Sequence, residues 1–178
     1  MQELEQMHRQ AASLYRLAWL LTGEREISVD ATLETIHAET DPDSFAEWVA
    51  RSRRVVIAKV LTLVRGQLAT SARRTASMRV RNLALPPGSA GMGDRTDSIQ
   101  LERALLSIDM FPRCALILTV FEGLSIEDAA VLLNVTPDLA RQARTIGLRQ
   151  MIDNLAGMQV GTSVGFHPFV MTTGVQHA

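Results

Sequence analysis

Cysteine, aromatic residues and long apolar runs are all scarce in this chain of 178 residues. Its one cysteine, Cys114, cannot form an internal disulfide, and its apolar setting in CALILTVF marks it as a small core hydrophobe. Aromatic residues make up 4% of the chain, and Tyr15, Trp19 and Trp48 are the only Tyr or Trp. Their spacing suits core packing, which leaves no evident platform for stacking bases. No run approaches the roughly 18–20 uncharged apolar residues that span a bilayer, so no membrane insertion is expected. The opening MQELEQMHRQ lacks the basic-then-apolar order of a secretory signal, and the expected setting is the cytoplasm. The four histidines, at 8, 37, 167 and 177, have no metal-ligand spacing. Neither TGERE nor PPGSAGMGD has the Gly-rich phosphate loop with its Lys. No nucleophile and base stand in a recognisable arrangement, so the expectation is a protein without catalysis, cofactor or metal.

What is abundant is apolar residues, at 47%, recurring at helical spacing. Leu14, Leu17, Ala18 and Leu21 form one stripe, and Val29, Leu33 and Ile36 another. Gly23 is placed to end the first helix in the left-handed conformation. A second helix is expected from about Ser28, and Pro42 breaks the chain after it. From Ser44 to about Arg74 the pattern predicts one long helix, with Phe45, Trp48 and Val49 and then Val56, Val60 and Val64 on related faces. The stretch LALPPGSAGMGDRTDS cannot hold a helix and reads as a linker. Beyond it Leu101, Leu105, Ile108, Leu116 and Val120 continue the apolar pattern. The expected architecture is all-α, with two small helical domains at 1–80 and 99–157, a linker at 81–98 and an unassigned tail at 158–178.

Charge is placed unevenly. Residues 1–47 carry ten acids against three bases, a net of −7, whereas residues 48–93 carry nine bases and no acid. Such a block suits a polyanion or an acidic partner, although a solvated arginine-rich helix face reads the same way.

The stretch EGLSIEDAAVLLNVTPDLARQA predicts two short helices joined by a tight turn. Ser125 is an N-cap with Asp128 three residues on. Thr136 caps the next helix, and Pro137 falls at its first position, where the missing N–H costs nothing. Asn134 between them tolerates positive φ, and Ala130 leaves room for crossing helices.

With its surroundings, this stretch resembles region 4 of bacterial sigma factors of the extracytoplasmic-function group. The matching residues are Phe111-Pro112-Arg113, Glu122-Gly123-Leu124-Ser125, Asp128-Ala129-Ala130, Leu133-Asn134-Val135-Thr136 and Leu148-Arg149. The segments LYRLAWLLTGERE, VDATLETI and FAEWVARSRR resemble region 2 of the same family. The similarity covers roughly residues 11–75 and 99–155, in the family's order.

The resemblance implies binding to core RNA polymerase and recognition of promoter DNA, with an anti-sigma factor as a further candidate partner. It places Asp30, Glu34, Thr35 and Ile36 on the polymerase-facing helix and Arg51, Arg53, Arg54 and Lys59 toward the melted promoter strand. Arg141, Gln142, Arg144 and Thr145 would lie on or beside the recognition helix, where phosphate contacts set position and base edges set specificity.

The chain also departs from the family pattern. Leu33 stands for the family's Gln, and Ala143, Ile146 and Leu148 replace basic residues. Residues 125–157 carry three arginines against four acids, so this segment alone would bind a duplex weakly. Two readings follow: a divergent sigma factor, or a sigma-like adaptor that binds an anti-sigma factor or polymerase without productive DNA recognition.

Overall fold

The computed structural model describes residues 2–38, 45–78 and 98–162, and every regular element among them is helical. These are α1 (Gln2–Thr22), α2 (Arg25–Ala38), α3 (Phe45–Leu63), α4 (Arg65–Ser77), α5 (Ser98–Leu106), α6 (Met110–Leu116), a π-helical segment (Ile117–Phe121), α7 (Ile126–Leu133) and α8 (Pro137–Thr162). The all-α class expected from periodicity is the class observed. Pro42, most of the expected linker, residues 163–178 of the tail and the side chain of Phe45 lie outside the described residues.

Local chemistry explains several helix ends. Gly23 takes φ +73°, and its N–H donates to Trp19 O at 2.7 Å, which closes α1 in the left-handed form. Asp109 starts α6 by accepting from the Met110 N–H at 3.0 Å, and Pro112 lies in the first turn, where no N–H is needed. α8 continues through Gly157 to Thr162, beyond the expected boundary at 157.

The single long helix expected from Ser44 is in fact two. α3 and α4 meet at Val64 (φ −93°, ψ 11°), and their axes differ by 77°. No proline is involved. Val64 is held in the core, and Gly66 just beyond it has weak helix propensity, so packing redirects the chain there.

α2 buries a face that apolar spacing did not indicate. Ser28, Ala31, Thr32 and Thr35 point inward, and the hydroxyls of the polar three donate to the carbonyls four residues back, at 2.6–2.7 Å. A side chain that satisfies itself on its own helix can be buried without an outside partner. Val29 and Leu33, expected inside, are 36% and 50% exposed.

Residues on both sides of the expected linker share one core. Leu14, Leu17, Leu21, Val56, Val60 and Leu68 form a buried cluster with Phe111, Cys114, Leu118 and Leu133. The stretches expected as separate domains are thus packed against each other. Polar contacts fix their register: the Phe111 N–H donates to Ser71 Oγ at 2.9 Å and the Cys114 thiol to Leu21 O at 3.4 Å. Burial pushes that thiol up to about 12, so it packs as a neutral group.

Arg113 lies at the same interface, with its guanidinium beside Gly23 at the end of α1. It is 5% exposed, and its guanidinium donates to Leu106 O and Ile108 O at 3.0 and 3.3 Å, satisfying carbonyls at the end of α5. Desolvation lowers its pKa, opposed by the charge of Asp109.

Candidate nucleic-acid interface

The local geometry of α7 and α8 follows the caps written in the sequence. Ser125 Oγ accepts from the Asp128 N–H at 3.0 Å and donates to Asp128 Oδ2 at 2.7 Å. Asn134 sits at φ 55°, ψ 50°, and the following Val135 N–H returns to Ala130 O at 3.0 Å, closing α7. Thr136 Oγ1 accepts from the Leu139 N–H at 3.4 Å, a long bond, at the start of α8. Ala129, Ala130, Ala140 and Ala143 are all buried, which lets α7 and α8 approach their neighbours closely. Gly147 carries this furthest: a Cβ there would lie 2.6 Å from Pro112 O of α6.

Small residues inward leave long polar ones outward. Arg141 and Thr145 are exposed on the first turns of α8, and Gln142 and Arg144 are half-buried. Arg141 Nη1 donates to Asp138 Oδ1 at 2.6 Å, an i,i+3 pair. Thr145 Oγ1 donates to Arg141 O at 3.0 Å. Gln142 reaches across to the other half of the chain, where Nε2 donates to Thr75 O at 3.1 Å and Met78 O at 3.0 Å at the end of α4.

The basic residues of α3 divide into two pairs. Arg51 and Arg54 are exposed, and among the described residues no ion pair reaches them. Arg53 makes a two-pronged ion pair with Glu122, at 3.0 and 2.5 Å, and also donates to Ser13 Oγ at 3.1 Å. Lys59 is paired with Glu34 of α2. Glu122, only 10% exposed at its side chain, was visible as part of a motif, but nothing local marks it as the partner of a residue 69 positions earlier.

Of the residues expected to face polymerase, Asp30 and Glu34 are exposed, and Ile36 packs partly against the core. Thr35 is a correction. It is fully buried, with Oγ1 donating to Ala31 O at 2.7 Å, so it offers no surface to a partner. In its place Val29 and Leu33 flank Asp30 and Glu34 outward. The i,i+4 spacing of these two apolar residues is legible in the sequence, but their outward direction is not.

Between α3 and α7 lies a groove of about 630 Å³. Ile57, Leu124 and Val131 supply apolar lining, and Arg53, Arg54 and Asp128 supply charge. Among the described residues no group of three or more His, Cys, Asp or Glu could hold a metal ion, and no single helix is long and apolar enough to cross a membrane. Compared with protein-family models, curated proteins and solved structures, the chain matches none.

Proposed function

We propose that this chain is a divergent sigma-type initiation factor that binds core RNA polymerase and directs it to promoter DNA in the cytoplasm. In this reading residues 1–80 serve as region 2 and residues 99–157 as region 4, with α7 and α8 as a helix-turn-helix. The observation that carries it is the capped α7–α8 pair, which turns four alanines inward and leaves Arg141 and Thr145 outward on the helix that would enter a major groove. The outward face of α2, with Val29 and Leu33 beside Asp30 and Glu34, supports a protein partner there, because exposed apolar groups rimmed by charge mark interaction surfaces.

The test is transcription from genomic DNA by core polymerase supplemented with the purified chain. Selection should enrich a promoter sequence, and replacing Arg141 and Arg144 together by Ala should weaken upstream duplex binding. A holoenzyme that enriches no sequence would refute the reading.

A second reading, the sigma-like adaptor, is favoured by the internal occupation of candidate DNA contacts. Arg53, Lys59, Arg141 and Gln142 are all bonded within the chain, and the α3–α7 groove has apolar lining from Ile57, Leu124 and Val131. It predicts a stoichiometric complex with an anti-sigma domain and no promoter selected.

A further inference from the structure

A cleft of about 330 Å³ opens between α1 and α5, and of the expected DNA and polymerase contacts only Arg53 borders it. Leu17 and Leu20 of α1, Leu101 and Leu105 of α5, and Ile117 and Phe121 of the π-helical segment give it an apolar lining. Leu17, Leu105 and Ile117 are buried, while Phe121 is 46% exposed. The π turn, closed by the Glu122 N–H on Ile117 O at 2.9 Å, sets Phe121 against the cleft and Glu122 on Arg53. Turns of this kind are rare and are frequent at functional sites.

Four charged groups border the cleft. Arg53 and Glu122 hold each other through two bonds, and that pair has little left to offer a ligand. Arg16 and Glu102 differ. Their pair reaches from α1 to α5 at 3.2 Å, and the Arg16 side chain, 51% exposed, is the most open of the four. Its bonds to Glu102 and to Ser98 Oγ both leave from Nη2, and among the described residues Nε and Nη1 donate to nothing, so donors remain. An exposed ion pair contributes little, so a second carboxylate can share or take this guanidinium at small cost. The planar fork of an arginine matches a carboxylate.

We infer that the cleft is a binding site for a small amphipathic carboxylate of medium acyl length, its charged end on Arg16 and its chain on Leu20, Leu101 and Phe121. An apolar hollow with a few placed polar groups is the general form of a small-ligand site, and a volume at the low end of that range suits a chain of about eight carbons. The walls come from both sides of the expected linker, so an occupant stabilises the packing of the two halves by mass action. The inference goes beyond the proposed function and does not rest on it.

The test is titration of the full chain with sodium octanoate at constant ionic strength, followed by methyl NMR. Octanoate should bind with a Kd of about 1 mM or lower. It should shift the methyls of Leu20, Leu101 and Ile117 and leave those of Leu124 and Val131, in the α3–α7 groove, in place. Arg16→Gln should weaken binding about tenfold and Arg16→Lys less, because only the first loses a charge-assisted hydrogen bond. Leu101→Trp, at a half-buried position, should fill the cleft and abolish binding. Acetate and octylammonium should not bind, since one lacks the chain and the other the negative charge. The site is overturned if octanoate shows no saturable binding, shifts the groove methyls instead, or is matched in affinity by octylammonium. Undiminished octanoate binding by Arg16→Gln overturns it too. The three-ligand comparison on the unsubstituted chain decides the matter even where a variant folds poorly.

Discussion

Replacing Gly147 by Ala sets two effects of opposite sign against each other. In an exposed helix interior the change stabilises by up to about 1 kcal/mol, because Gly has more backbone freedom to lose on folding. Here the added Cβ would stand 2.6 Å from Pro112 O, 3.1 Å from Pro112 C and 3.3 Å from Leu116 Cβ. The first two are backbone atoms and cannot rotate away, so α6 and α8 must separate by several tenths of an ångström along a crossing that buries Leu116 and Ala143. Overpacking of a tight core costs about 1–3 kcal/mol, which outweighs the propensity gain and leaves a net loss of about 1–2 kcal/mol. For a chain of this size that lowers Tm by about 2–8 °C. Gly157→Ala is the matched control on the same helix, with nothing within 4 Å of its new Cβ, and should be neutral to stabilising. Thermal and urea unfolding followed by far-ultraviolet circular dichroism measure both. If Gly147→Ala were as stable as the parent, the close approach of α6 and α8 would be refuted.

Two further substitutions test the turn and the buried thiol. Asn134→Val places a β-branched residue at φ 55° and should destabilise by about 1–2 kcal/mol, while Asn134→Gly should not, as read from urea midpoints. Cys114, raised from 9.0 to about 12 by burial, holds its proton more tightly folded than unfolded. Its stabilising contribution is therefore complete below pH 9 and lost as pH rises toward 12, and Cys114→Ala should show a shallower alkaline loss over that window in pH-dependent unfolding. An identical slope for both proteins would contradict the burial argument.

The α7–α8 pair was legible because its ends rest on side chain to backbone bonds within a few residues, and Ser125, Asn134 and Pro137 are diagnostic of such ends. Leu14, Leu17, Ala18 and Leu21 were legible because a strongly apolar stripe has one place to go. α2 was misread for a physical reason. Ser28, Thr32 and Thr35 cancel their own polarity against the helix backbone, so the face they make is as buriable as alanine, and spacing alone favoured Val29 and Leu33. The bend at Val64 carries no proline to announce it. The destinations of Arg53 and Gln142 depend on how distant segments meet, which local patterns do not encode. The positions of the candidate DNA contacts were legible, while the bonds that Arg53, Lys59 and Gln142 make within the chain became visible only in three dimensions.

The shared core also has a consequence for synthesis. A ribosome delivers α1 to α4 first, complete to Met78, and their inner face then lacks Phe111, Cys114 and Leu118 until about forty more residues have emerged. At about 5–20 residues per second this lasts about 2–8 s, during which Leu17, Leu21, Leu68 and Ala72 remain uncovered. The nascent chain is therefore most sticky in mid-translation, and a holdase that shields apolar surface would have its window there.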